Sequence, residues 1–201
     1  PHSQVGGPPT RPYRAIRMIR DPRDMWLSGY LYHRHSDEEW CTNTDLDPTP
    51  PILWPKVDHG FAHWPEARKR AFLERLDGKS YQRNILDRSF EDGLDFELEG
   101  YTAQTMEAMR LWPSYGIEAM DVRLEDAMAD FDATMTRVFR HFGWTDEQVS
   151  TALSAARTED IRRMDDRAIA ARPQIHSRRL VKWPTMLPPG HASRFAGLHG
   201  L

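Results

Sequence analysis

Twice along this chain a short run of strand-like residues leads directly into a helical stretch, and that repeated order is the strongest constraint on its fold. The first run, over 13–19, is Tyr-Arg-Ala-Ile-Arg-Met-Ile, and the second covers 117–122 between Gly116 and the acidic pair Glu125 and Asp126. After the first, Asp21 and Pro22 read as a helix start, because an aspartate accepts the free N–H groups of a first turn and proline is tolerated at the first helical position. That helix is expected to run to about His33. After the second, Phe131, Met135, Val138, Phe139 and Phe142 follow the i, i+4, i+7, i+8, i+11 spacing of a buried face, and Gly143 suits a left-handed cap, so the pattern predicts a helix over 127–142. Strand then helix, repeated, indicates an α/β fold with a parallel sheet and a helix-rich C-terminal half.

Between these units, Pro48, Pro50, Pro51 and Pro55 break any regular element, and 33–64 reads as an irregular insertion. A helix is expected from Pro65 through Leu76, closed by Gly78, and another over 96–112, ended by Pro113. Thr145 with Gln148 three residues on resembles a capping box, and a more polar helix is expected over 158–171. No internal repeat or low-complexity tract is present. The chain reads as one domain over 1–201. Opening on Pro1 and closing on an uncapped helical pattern, it reads as truncated at both ends, with an exposed strand edge and self-association as the expected result.

The 201 residues are 39% hydrophobic and 28% charged, the balance of an ordinary globular chain. No apolar stretch approaches the roughly 18 residues of a membrane span, and a single cysteine, Cys41, forms no internal disulfide, so the expected location is the cytoplasm. A net charge of -3 disfavours a nucleic-acid partner. Locally, however, Arg11, Arg14, Arg17, Arg20 and Arg23 are separated by one acid, Asp21, and favour a small anion.

A strand that delivers an arginine to its C-terminal end, followed by a helix N-terminus, offers an anion both a fixed cation and free N–H groups. Arg20 is that cation, and Ser28, about two turns into the helix, offers a hydroxyl to the same anion. The competing structural reading pairs Arg20 with Asp21 or Asp24 and leaves Ser28 an ordinary helix serine.

The run Arg-Asp-Pro-Arg-Asp-Met-Trp-Leu-Ser-Gly-Tyr over 20–30 resembles the 3'-phosphate-binding motif of sulfotransferases that use 3'-phosphoadenosine 5'-phosphosulfate (PAPS), with Arg20 and Ser28 at the positions of the phosphate-binding arginine and serine. Downstream, 93–112 looks like the helix before that family's second-half strand. Val122-Arg123-Leu124-Glu125-Asp126 looks like its Tyr-Glu-Asp strand end, and 127–142 with Gly143-Trp144 like the following helix and turn. The resemblance implies a P-loop-NTPase-like parallel sheet flanked by helices, incomplete in this chain, and PAPS as co-substrate with no metal. It also implies transfer of a sulfuryl group to a hydroxyl or amine of a small-molecule or carbohydrate acceptor.

Three features depart from the family. Leu124 stands where a tyrosine near the adenine is common. The Arg-Lys-Gly loop before a tryptophan is replaced by Ser177-Arg178-Arg179-Leu180-Val181-Lys182-Trp183, which makes Arg178 and Arg179 the candidates for closing over the nucleotide. The Gly-rich loop that grips the 5'-phosphosulfate would lie upstream of Pro1, so this chain alone is expected to be inactive. A histidine usually serves as general base upstream of the motif, and His2 is the candidate. The alternative reading is a non-catalytic fragment of a degenerate α/β domain that binds a nucleotide or a partner. His33 and His35 near Cys41, and His59 with His63, have spacings zinc can use, but Gly60 and Trp64-Pro65 are poor helical context and no metal site is assigned. Trp40, Trp54, Trp64 and Tyr81 either line an acceptor pocket or pin the long loop to the core.

Overall fold

The computed structural model describes residues 14–52, 64–111, 119–172, 175 and 177–199. Among these, β1 (Ala15–Ile19) and β2 (Ala119–Arg123) form a two-stranded parallel sheet, in register from Ala15 opposite Ala119 to Ile19 opposite Arg123. The helices are α1 (Pro22–His33), α2 (Glu39–Thr42), α3 (Glu66–Leu76), α4 (Tyr81–Leu86), α5 (Phe90–Glu97), α6 (Ala103–Leu111), α7 (Leu124–Ala129), α8 (Phe131–His141), α9 (Asp146–Ala156), α10 (Asp166–Ala170), α11 (Trp183–Met186) and α12 (Pro189–His199). The described residues are therefore α/β, with far more helix than strand. None of their helices is long and apolar enough to cross a membrane.

The two arginines that blur the first strand pattern are both engaged in lateral ties. Arg17 stands opposite Asp121 in the ladder and holds it through two bonds of 2.7 and 2.6 Å, a pair worth about 0.2–1 kcal/mol at this exposure. Arg14 donates to the His141 carbonyl at 2.7 Å, and His141 Nε2 lies 2.9 Å from the Ala15 carbonyl, so the end of α8 is tied to the start of β1.

Local side-chain chemistry explains where the helices differ from their sequence pattern. The helix expected over 96–112 begins earlier, at Phe90, because Ser89 Oγ accepts the Asp92 N–H at 3.1 Å and caps it. It is then interrupted over Leu98–Thr102 by a wide π turn in which Gly100 leaves helical geometry (φ -95°, ψ -107°) before α6 resumes. Trp112 and Pro113 lie outside the described residues. The helix expected over 127–142 is broken at Asp130, whose carboxylate accepts the Ala133 N–H at 3.0 Å and opens α8. Phe142, expected on its buried face, is 40% exposed. Over 158–171 the winding is broken into a 3-10 turn at Arg157–Glu159 and the short α10, because Asp160 and Asp165 each accept a nearby backbone N–H, from Arg162 and Ala168. The capping box at Thr145 and Gln148 is present.

The main core lies beside the sheet, where α1 meets α2 to α5 and α12. Trp26 is fully buried, donates its indole N–H to the Leu94 carbonyl at 2.8 Å and stacks on Phe195. The described residues of the irregular segment contribute Trp40, Cys41, Ile52 and Trp64 to this core. Burial pushes the Cys41 thiol well up, so it is held as the unreactive thiol.

A carboxylate sits inside this core. Glu97 is 0% exposed, with Oε2 at 2.8 Å from both His33 Nδ1 and the Tyr81 hydroxyl and Oε1 at 3.3 Å from Thr102 Oγ1. Gly29 makes room for it, because a Cβ there would come within 2.7 Å of Glu97 Oε1. Since three groups hold that carboxylate, it cannot swing aside. Alanine gains about 1 kcal/mol over glycine in a helix interior, but overpacking costs about 1–3 kcal/mol and a displaced buried acceptor a similar amount. Gly29→Ala is therefore expected to destabilise the fold by about 2 kcal/mol in urea denaturation. Gly190→Ala, where a Cβ meets nothing within 4 Å, is expected not to lower stability.

Candidate functional site

The C-terminal end of β1 delivers Arg20 to the start of α1, and the structure resolves the competition for its guanidinium. Asp21 is taken by Arg23, through bonds of 3.0 and 2.7 Å, and also accepts the Arg23 N–H at 2.9 Å. Asp24, buried in the first turn, turns its Oδ1 to the backbone N–H groups of Lys182 and Trp183, at 2.7 and 3.1 Å. Arg20 hydrogen-bonds neither acid. Its Nη1 donates to Ser28 Oγ at 3.0 Å, its Nη2 donates to the Leu180 carbonyl at 2.8 Å, and its buried Nε has no partner.

Lys182 completes the cluster. It is 5% exposed, and its Nζ donates to Ser28 Oγ at 3.3 Å. Two cations of separate segments thus converge on one hydroxyl. An oxygen that accepts from both keeps its own O–H free to donate. The site therefore holds a surplus of donors, namely Arg20 Nε–H, Ser28 O–H and the remaining ammonium protons of Lys182, gathered at the N-terminal half of α1. That arrangement suits an anion with several acceptor oxygens. Of the nearby carboxylates, Asp21 is held by Arg23 and Asp24 by backbone, and Glu125, beyond the end of β2, accepts the Asp21 N–H at 3.1 Å through Oε1 while its buried Oε2 has no hydrogen-bond partner among the described residues.

Electrostatics describe the same site. Burial lowers the pKa of Arg20, opposed by the charges of Asp24, Glu125 and Asp21. Burial likewise pushes Lys182 below its ordinary value, the Arg20 charge lowers it further, and Asp24 opposes the shift. Two like charges out of water are costly unless an anion joins them.

Of the sequence candidates, Arg20 and Ser28 are brought together. Arg178 and Arg179 hydrogen-bond elsewhere. Arg178 is bound to Asp166 and to the Met164 carbonyl, both at 2.6 Å, which ties the segment to α10. Arg179 is exposed and donates to the Val181 carbonyl at 3.0 Å. Lys182, in the same run, is the residue the sequence reading missed. Its signal was a lysine set among Leu180, Val181 and Trp183, an apolar context that favours burial. His2 lies outside the described residues, as do Trp54, His59 and His63. His33 is buried against Glu97, and the described residues contain no group of three or more His, Cys, Asp or Glu placed for a metal ion. Trp40 and Tyr81 are buried in the core, and Trp64 packs edge-on to Phe72, so these rings pin the loop rather than line a pocket.

A lysine whose pKa is lowered in the fold binds fewer protons there than when unfolded, so its charge costs stability below the lowered value and that cost is relieved as pH rises through it. A bound anion favours the charged form. Sulfate affinity is therefore expected to fall as pH climbs from the lowered Lys182 value toward the ordinary lysine value near 10.5, and Lys182→Arg is expected to flatten that alkaline limb in a calorimetric pH series. A limb identical in both proteins would assign the loss to another group. Comparison with known proteins adds nothing to this geometry: no protein-family model, no curated protein and no solved structure matches the chain.

Proposed function

We propose that this chain is part of a sulfotransferase domain that binds PAPS, the whole domain moving its sulfuryl group to a hydroxyl or amine of a small-molecule or carbohydrate acceptor. The observation that carries this reading is the convergence of Arg20 and Lys182 on Ser28, with donors left over, inside the segment that resembles the family's 3'-phosphate motif. In the proposal the two strands belong to a P-loop-NTPase-like sheet. Arg20, Ser28 and Lys182 take the 3'-phosphate of the nucleotide.

That phosphate is remote from the reacting sulfur, so these residues contribute orientation and binding energy rather than bond chemistry. In the reaction the acceptor oxygen or nitrogen forms a bond to sulfur while the bond from sulfur to the 5'-phosphate oxygen breaks. The acceptor proton passes to a general base, and adenosine 3',5'-bisphosphate is the leaving product. Lys182 replaces Arg178 and Arg179 as the second cation in this assignment. A dianionic phosphate matches the site better than a singly charged diester, because it offers more charge and more acceptor oxygens to Arg20, Lys182 and the Ser28 hydroxyl.

Calorimetric titration with adenosine 3',5'-bisphosphate tests the reading. The chain is expected to bind it, to bind adenosine 5'-phosphate at least tenfold more weakly, and to lose roughly 30-fold or more in bisphosphate affinity on Arg20→Ala or Lys182→Ala, the scale of truncating one buried charge contact. Equal affinity for the two nucleotides, or indifference to both substitutions in folded protein, would sink the assignment.

A further inference from the structure

We propose that Asp24 is the positioning residue of the anion site, its carboxylate holding the 180–183 segment in the one register that brings Lys182 to Ser28. The inference rests on the anion-binding reading above and adds a residue that makes no contact with the anion.

Asp24 and Ser28, four residues apart, share one stripe of α1, and Arg20, between the end of β1 and the helix cap, reaches that stripe through its side chain. The 180–183 segment is laid along that surface by four bonds: the Leu180 carbonyl on Arg20, the Lys182 and Trp183 N–H groups on Asp24, and Lys182 Nζ on Ser28. The middle contact is the strongest kind, a buried carboxylate accepting two backbone N–H groups, with Asp24 only 1% exposed. Trp183 opens α11, so one of those N–H groups is a helix-start donor that needs an acceptor. An apolar side chain at position 24 would fill the space at lower desolvation cost, yet it would leave the segment without an anchor. Arg23 adds to the clamp, its guanidinium lying 3.7 Å over the Trp183 ring.

Three substitutions in the same chain separate position from charge and from packing. In Asp24→Ala, amide hydrogen exchange at Lys182 and Trp183 is expected to accelerate while amides of α3 to α5 stay protected. Affinity for adenosine 3',5'-bisphosphate is expected to fall roughly tenfold to a hundredfold. Asp24→Asn keeps an acceptor oxygen and is expected to restore amide protection and most of the affinity. Asp24→Leu restores packing alone and is expected to restore neither. Asparagine performing no better than alanine would overturn the proposal in favour of a charge effect, and leucine matching wild type would reduce Asp24 to filler. Should alanine fail to fold, the asparagine and leucine pair decides. If the wild-type chain does not bind the bisphosphate, the sulfotransferase reading fails by itself, and the exchange rates at Lys182 and Trp183 still judge whether Asp24 holds the segment.

Discussion

The fold depends on satisfying one carboxylate that no water reaches. Glu97 lies at zero exposure where α1, α4, α5 and the π turn meet, and each neighbour has given something up to accommodate it. Position 29 carries no side chain. Position 100 is a glycine as well, because a Cβ there would stand 2.9 Å from the Tyr81 hydroxyl, which itself is bound to Glu97. The turn widens over Leu98–Thr102, and Thr102 reaches back to the same carboxylate. A leucine at position 97 would avoid the desolvation cost, but it would specify no particular rotation of the four elements.

That constraint reaches the proposed anion site through α1, a single helix that serves both. Its inner face carries Trp26, Leu27, Tyr30, Leu31 and His33 into the core, while the stripe of Asp24 and Ser28 faces the 180–183 segment. Fixing the C-terminal half by His33 and Gly29 fixes the rotation of the N-terminal half, and with it the direction of Ser28 Oγ. The start of the helix is secured separately, by Glu125 bonding the Asp21 N–H, so the ends of both strands brace the site. A site held at both ends of a rigid helix pre-organises its donors before any ligand arrives.

Much of this was legible in the sequence where local chemistry decides. Asp21 and Pro22 mark the start of α1, Thr145 and Gln148 mark α9, and Gly143, at φ 82°, closes α8. Arg20 and Ser28 were legible because both sit on one short segment that runs from the end of a strand into the first turns of a helix. What escaped depends on distant partners or on competing caps. Lys182 meets Ser28 across 154 residues, and nothing local marks that pairing beyond an apolar context. Arg178 and Arg179 looked equivalent to it in sequence, yet Asp166 captures one and the neighbouring backbone the other. Asp130, Asp160 and Asp165 divide what the apolar spacing presents as continuous helices, because an aspartate carboxylate competes for the same N–H groups that a helix would use.

The contacts that build the anion site span nearly the whole chain: 160 residues separate Arg20 from Leu180, and 158 separate Asp24 from Lys182. During synthesis, Arg20 and the helix that carries Ser28 leave the ribosome long before the segment that completes the cluster. Closing so long a loop is slow compared with winding a helix. Until Lys182 and Trp183 emerge, Asp24 has no backbone donors from that segment and Arg20 no carbonyl. A nascent chain therefore brings Lys182 to Ser28 only after 154 further residues have been made.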